Sequence, residues 1–181
     1  MIGSQSEEVE QMPIRHAVID SALGELTLVA SGDALAGVYF RHHWHPPTAD
    51  TLGLRVEAAA DELLASAADQ LGEYLVGERT QFDLPLAVVG DVRRQRVWDL
   101  LSGVAYGQTK TYGELAAELG DGTTAYEVGQ VVGRNPLSIV VPCHRIVGKD
   151  GSLTGYAGGL KRKRFLLELE EPEPVVAGRL F

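Results

Sequence analysis

The chain has 181 residues, 45% hydrophobic and 23% charged, with a formal net charge of −9 and a single cysteine. That balance describes an ordinary globular protein and excludes a fibrous or low-complexity chain; no apolar run reaches the roughly 18 residues that span a bilayer. One cysteine cannot form an internal disulfide, which fits a reducing, cytoplasmic setting.

The acidic, polar opening MIGSQSEEVEQMP reads as a disordered leader over residues 1–13 and is the opposite of a signal peptide. From 14 to 40, three apolar runs separated by Ser-Ala-Leu-Gly and Ser-Gly-Asp turns predict a β-meander. Residues 41–54 read as a loop. Helix-period apolar positions over 56–77 predict a helix ending at Gly77, and FDLPLAVVGD returns to extended structure. The expected division is an N-terminal domain over 14–89, a second domain over 90–172, and a flexible tail over 173–181.

The second half opens on a predicted helix over 92–102, with Val97, Leu100 and Leu101 facing inward. Thr111 and Glu114, then Thr124 and Glu127, have capping-box spacing before two short apolar runs separated at Gly120. Two short capped helices joined by a glycine-containing turn fit a helix-turn-helix. A strand over 138–141 is expected next, then Pro142-Cys143-His144-Arg145, a glycine-rich stretch and a last helix from about Leu160 to Leu169.

Charge is unevenly spread. Residues 1–89 carry 4 Lys/Arg against 14 Asp/Glu, residues 90–165 carry 11 against 7, and residues 166–181 carry 1 against 4. A net acidic chain therefore holds a basic middle segment able to face phosphates. Ordinary charge scatter is the plainer explanation of the same numbers.

A lone cysteine is more often a buried hydrophobe than a nucleophile. Cys143 earns attention because His144 and Arg145 follow it directly and Pro142 fixes the turn that presents it. The string NPLSIVVPCHRIVGKDGSLTGYAGGLKRKRFLLELE closely resembles the O6-alkylguanine-DNA alkyltransferase family. The likeness runs back through VGQVVGRNP, YGQTKTYGELAAELG and RVWDLL, covering about residues 95–170, and more loosely through the first half.

The resemblance implies an α+β fold: a small N-terminal antiparallel sheet and helix domain, then a helical domain with a winged-helix-like helix-turn-helix. It implies irreversible, single-turnover transfer of an alkyl group from O6-alkylguanine, and O4-alkylthymine, onto Cys143, without a cofactor. The partner implied is double-stranded DNA, met by a monomer through the minor groove with the damaged base flipped out. His144 corresponds to the residue that deprotonates the thiol through a water, and Glu170 to the carboxylate that orients it, where residue type alone leaves Glu168 and Glu171 equal candidates. Asn135 corresponds to the hinge asparagine and Tyr112 to a donor near the leaving guanine. Backbone groups of Cys143, Ile146 and Ala157, with the ring of Tyr156, correspond to the base pocket. Thr111, Gly129 and Arg145 complete the expected DNA-facing set.

Three departures stand out. Relatives begin the recognition helix with Arg-Ala-Val-Gly, where this chain has Tyr126-Glu127-Val128-Gly129; the intercalating finger is a tyrosine. Arg93-Arg94 replaces a Phe-Gln pair, and Thr154 replaces a glycine beside the pocket. The cluster His42, His43 and His45 lacks the usual metal-ligand spacing, and no metal is expected there. Readings kept beside the main one are an alkyltransferase specialised for an unusual adduct or a non-duplex substrate, a lesion-binding module, which the retained cysteine disfavours, and a turnover cysteine hydrolase.

Overall fold

The computed structural model describes residues 13–88 and 90–171; the leader expected over 1–13, apart from Pro13, and the tail expected over 173–181 lie outside them. The meander forms as three strands, β1 (Ile14–Ile19), β2 (Leu26–Ser31) and β3 (Ala34–Phe40). A two-residue turn, Gly32-Asp33, joins β2 to β3, and Gly32 takes φ 55°. That left-handed backbone matches strand twist and suits glycine. The inner face buries Ala17, Leu26, Leu28, Leu35, Val38 and Phe40.

The predicted loop over 41–54 contains a short helix, α1 (Ala49–Leu52), and the start of a fourth strand, β4 (Leu54–Arg55), which pairs in parallel with β1. The sheet, ordered β3-β2-β1-β4, is therefore mixed at one edge. The helix expected from 56 begins only at Glu62, because Asp61 caps it: its carboxylate accepts from Leu64 N at 3.0 Å. This helix, α2 (Glu62–Leu75), lays Leu64, Ala67, Leu71, Tyr74 and Leu75 onto the sheet.

Next come α3 (Val92–Ser102), β5 (Lys110–Thr111), α4 (Tyr112–Leu119) and α5 (Ala125–Val132). On α3, Val97, Trp98 and Leu101 are buried while Leu100 is half-buried. Both capping boxes form, at Thr111–Glu114 and Thr124–Glu127, and Gly120 closes α4 in the left-handed region. Arg96 of α3 locks the turn between them, donating to Leu119 O at 2.7 Å and Asp121 at 3.0 Å. β6 (Ile146–Val147) pairs in parallel with β5, and α6 (Leu160–Glu170) closes the described chain.

The strand expected over 138–141 is absent; the segment is a turn. Val140 N reaches Ser138 O at 2.9 Å and Val141 N reaches Leu137 O at 2.8 Å, so backbone bonds close locally. Ile139 has φ 72°, the one non-glycine residue with positive φ among the described residues. Such a conformation costs a β-branched residue roughly 1–3 kcal/mol and persists where the surroundings over-determine it. Ile139 is buried, and Asn135 grips both ends of the loop.

The two halves share one buried core. The edge of β3 carries both: Leu35 N donates to Pro85 O at 2.7 Å, and Val38 N to Pro136 O at 2.8 Å. This seam fixes the sheet and α2 against the loop that bears Cys143. Among the described residues, no helix is long and apolar enough to cross a membrane.

Candidate active site

Cys143 opens a one-turn 3-10 helix, Cys143–Arg145, immediately after the Ile139 turn. Asn135 positions it. Its Nδ2 donates to Val141 O at 2.8 Å and to Cys143 Sγ at 3.2 Å, while its Oδ1 accepts from Leu137 N at 3.0 Å. Asn-Pro at 135–136 is thus more than a helix stop; the amide holds the loop closed around the sulfur. Burial pushes the Cys143 thiol pKa up, and the Asn135 bond only partly offsets this. The resting sulfur is a neutral thiol, in keeping with a base that deprotonates it. Deprotonation must accompany the reaction.

The adjacent base is fully buried. His144 Nε2 lies 2.7 Å from Glu170 Oε1. An ionised carboxylate only accepts, so Nε2 carries the proton and Nδ1 presents its lone pair. Nδ1 has no hydrogen-bond partner among the described residues, leaving it free to take a proton. Burial pushes the His144 pKa down despite the Glu170 bond, so the ring rests as a neutral base.

Of the three carboxylates near the end of α6, Glu170 alone meets His144. It accepts from five donors: Tyr74 OH, His144 Nε2, Arg145 Nε at 2.8 Å, Arg145 Nη2 at 3.0 Å and Gly107 N at 3.1 Å. Burial opposes its charge, but the bonds from His144, Arg145 and Tyr74 outweigh that and hold its pKa at about 2, against an ordinary 4.5. A depressed carboxyl adds stability above its unfolded pKa and loses it as pH falls through the folded one. Thermal melts should therefore show acid destabilisation between about pH 4.5 and pH 2, flatter in Glu170→Gln over that interval. Parallel curves for the two proteins would mean that Glu170 is not held ionised.

Arg145 differs from expectation. Its guanidinium is spent on Glu170 and on Val104 O at 2.5 Å, and the residue is buried, so it orders the carboxylate and does not face a phosphate. Thr111 is engaged as the α4 cap, its hydroxyl accepting from Glu114 N at 3.2 Å. Ile146 O accepts from Lys163 Nζ at 2.5 Å.

Three residues escape a sequence reading. Lys163, in a run that looks like a solvated basic face, is fully buried and also bonds Thr154 O at 2.8 Å, tying the pocket loop to α6. Tyr74 reaches the site from α2. Trp44, from the loop after β3, holds Ala157 O through its backbone N–H at 3.0 Å. Its proximity to Pro46-Pro47 gave no cue.

Above the sulfur lies a cavity of about 50 Å³ lined by Cys143, Tyr112, Gly129, Tyr156, Ala157 and Trp44. Tyr156 packs edge-on to Phe40, centroids 5.8 Å apart. Gly158 must be glycine: a Cβ there would lie 2.3 Å from the Phe40 ring. Tyr112 and Gly129 also border a wider groove of about 940 Å³ between α4 and α5, joined there by Tyr126, Gln130, Lys149 and Thr154. Tyr112 OH donates to Thr154 O at 3.4 Å, long enough to be exchanged for another acceptor. Tyr126 is 75% exposed on the groove's rim. Glu127 caps α5 and faces Arg93 at 3.5 Å, so the arginine that departs from the family pattern offsets the glutamate that does the same. His43 turns inward, stacked on Phe40 at 6.2 Å, whereas His42 and His45 are exposed; the three do not converge.

Two family profiles match the chain: the ribonuclease-like domain of 6-O-methylguanine DNA methyltransferase over residues 14–88, and the DNA binding domain of the same family over residues 93–172. The chain is 42% identical over 159 residues to the methylated-DNA–protein-cysteine methyltransferase of Mycobacterium tuberculosis, covering 87% of this chain and 93% of that protein. It is 36% identical over 160 residues to the constitutive enzyme of Bacillus subtilis, covering 86% and 94%. The fold superposes on the crystal structure of Mycobacterium tuberculosis OGT in complex with DNA with a TM-score of 0.78 and 41% identity, covering 87% of this chain and 92% of that one. Sequence, fold and the arrangement around Cys143 agree, and the chain belongs to the 6-O-methylguanine DNA methyltransferase family.

Proposed function

We propose that this protein repairs DNA by moving an alkyl group from the O6 atom of guanine, and from O4 of thymine, onto Cys143, once per molecule. The observation that carries the reading is Cys143 lining a cavity that shares Tyr112 and Gly129 with the α4–α5 groove, next in sequence to a neutral histidine whose Nδ1 has no partner among the described residues. The sulfur attacks the alkyl carbon in line. An S–C bond forms and the C–O6 bond breaks; the thiol proton passes to His144 Nδ1, the departing guanine takes a proton from Tyr112 OH, and the imidazolium proton returns to the Tyr112 oxygen through solvent, so that one proton in total moves from thiol to guanine and charge balances. Glu170 keeps Nε2 protonated and aims the ring. Tyr112, which lines the same cavity as Cys143 and holds Thr154 O only by a long bond, is the donor to the leaving base. A thioether resists hydrolysis, which makes the protein its own stoichiometric reagent, without a cofactor.

The DNA partner is double-stranded, approached as a monomer through the minor groove, with Tyr126 filling the space of the flipped base. Aromatic wedges serve this purpose in other minor-groove proteins. A single essential thiol suits the cytoplasm. Mixing the protein with excess O6-methylguanine duplex should add one methyl mass to the peptide containing Cys143 and then stop; product beyond one equivalent of protein would defeat the single-turnover reading.

The finger has its own test. A base–aromatic stack contributes roughly 1–3 kcal/mol, so Tyr126→Ala should slow transfer from duplex DNA about tenfold or more at sub-saturating protein. Free O6-benzylguanine should react nearly as before, and Tyr126→Phe should match the wild type on DNA. Unchanged transfer by Tyr126→Ala would favour the reading kept beside this one, a specialised or non-duplex substrate.

A further inference from the structure

We infer that Tyr74, supplied by the N-terminal domain, is a positioning residue that sets the proton affinity of the His144 base through Glu170. This rests on His144 being that base. Tyr74 lies on the buried face of α2 and is fully buried. Its hydroxyl donates to Glu170 Oε1, the same oxygen that takes His144 Nε2–H, and it lies 3.3 Å from Nε2 itself. Its ring is pinned, tilted against Phe82 at 5.1 Å and edge-on to Tyr106 at 6.0 Å. A tyrosine chosen only for packing would leave the same ring contacts to phenylalanine. The buried hydroxyl, by contrast, is spent on the carboxylate that holds the base and on the base itself.

The direction of the effect follows from sharing one acceptor. Each donor on Oε1 withdraws negative charge from that oxygen and so weakens its hold on an imidazolium at Nε2. When His144 takes the thiol proton it becomes that imidazolium. Tyr74 therefore keeps the resting ring neutral and stops Glu170 from fixing it in the charged, non-basic form. The groups facing this pair are Glu170 and Lys163 from α6, Arg145 beside it, Tyr74 from α2, Tyr106 from the segment after α3, and Cys143 and Tyr156 from the pocket. Tyr74 and Tyr106 stay neutral over the working range, burial raising both. Tyr74 thus acts as a dipole fixed by the N-terminal core and not as a titrating charge. It also gives the sheet domain a part in the chemistry: α2 reaches 96 residues along the chain to a carboxylate on α6.

The test is the pH dependence of single-turnover transfer from O6-methylguanine duplex in Tyr74→Phe. The acidic limb should move to higher pH by roughly half a unit to one unit, slowing transfer about three- to tenfold on that limb, with the alkaline plateau changed less. Site-specific 3-fluorotyrosine at position 74, a stronger donor of similar size, should move the limb to lower pH and serves where Tyr74→Phe does not fold. In a Glu170→Gln background Tyr74→Phe should add no further shift, because its route is gone. An unchanged limb, or the same shift in both backgrounds, overturns the inference. His144→Gln separates it from the reading beneath: slowed transfer there with an unmoved Tyr74→Phe profile sinks the role of Tyr74 alone, whereas unimpaired transfer by His144→Gln sinks the base assignment.

Discussion

Cys143→Ala should abolish alkyl transfer outright, and Cys143→Ser should be as inert. Loss of a general base slows a reaction roughly 10²–10⁴-fold, because other contributions survive. Loss of the acceptor atom leaves no bond to form. Serine keeps the size of the site but offers a hydroxyl far less acidic and less nucleophilic than a thiol. The thiol itself is already raised in pKa by burial, so the same pocket deprotonates an alcohol still less readily. Both variants should fold, since Asn135 holds the loop through Val141 O and Leu137 N as well as through the sulfur. They should still retain lesion-containing duplex, because the groove and Tyr126 are untouched. The measurement is intact-protein mass and residual O6-methylguanine after long incubation, with gel retardation on the same samples. Methyl loss from DNA with Cys143→Ala would place the acceptor elsewhere.

What the sequence made legible was what lies within a few residues of itself. The two capping boxes depend on Thr and Glu three apart, and both formed. The Gly32 turn and the glycine stop after α4 rest on backbone conformations few other residues accept. The apolar run Ile139-Val140-Val141 misled for the same local reason. It has the composition of a strand, but Asn135 draws it into a loop by bonds that composition does not encode. Arg145, counted with the DNA-facing set through the family resemblance, turns inward instead, because its partner sits 25 residues on. Tyr74 was invisible in a different way. Its place in the helical period of α2 accounts for it fully as a core residue, and nothing in that period announces a hydroxyl aimed at another domain. The charge near the site was equally opaque: Lys163 belongs to a Lys-Arg-Lys-Arg run, and only folding shows that one member of the four is fully buried. Glu170 itself was selected among three glutamates by family register, and its five donors supply the physical reason for that choice.

Those five donors also fix what Glu170→Gln should do, and the result should be double. Transfer should fall by roughly 10²-fold or more, since His144 loses the anion that keeps Nε2 protonated and stabilises the imidazolium formed when the thiol gives up its proton. The fold should weaken as well. Arg145 is buried and, among the described residues, its charge is matched by Glu170; removing one partner of such a pair typically costs about 3–5 kcal/mol, because the other charge is left buried. A glutamine amide also presents N–H where Arg145 and Gly107 offer only donors. The two effects separate experimentally: the rate is measured at a temperature where circular dichroism shows the variant folded, and stability by urea titration. Arg145→Lys supplies the contrast. It keeps a charge but loses the two-pronged hold on Oε1 and Oε2, so it should weaken the fold while slowing transfer less than Glu170→Gln does. Wild-type transfer by a folded Glu170→Gln protein would detach the carboxylate from the chemistry and leave it a purely structural partner of Arg145.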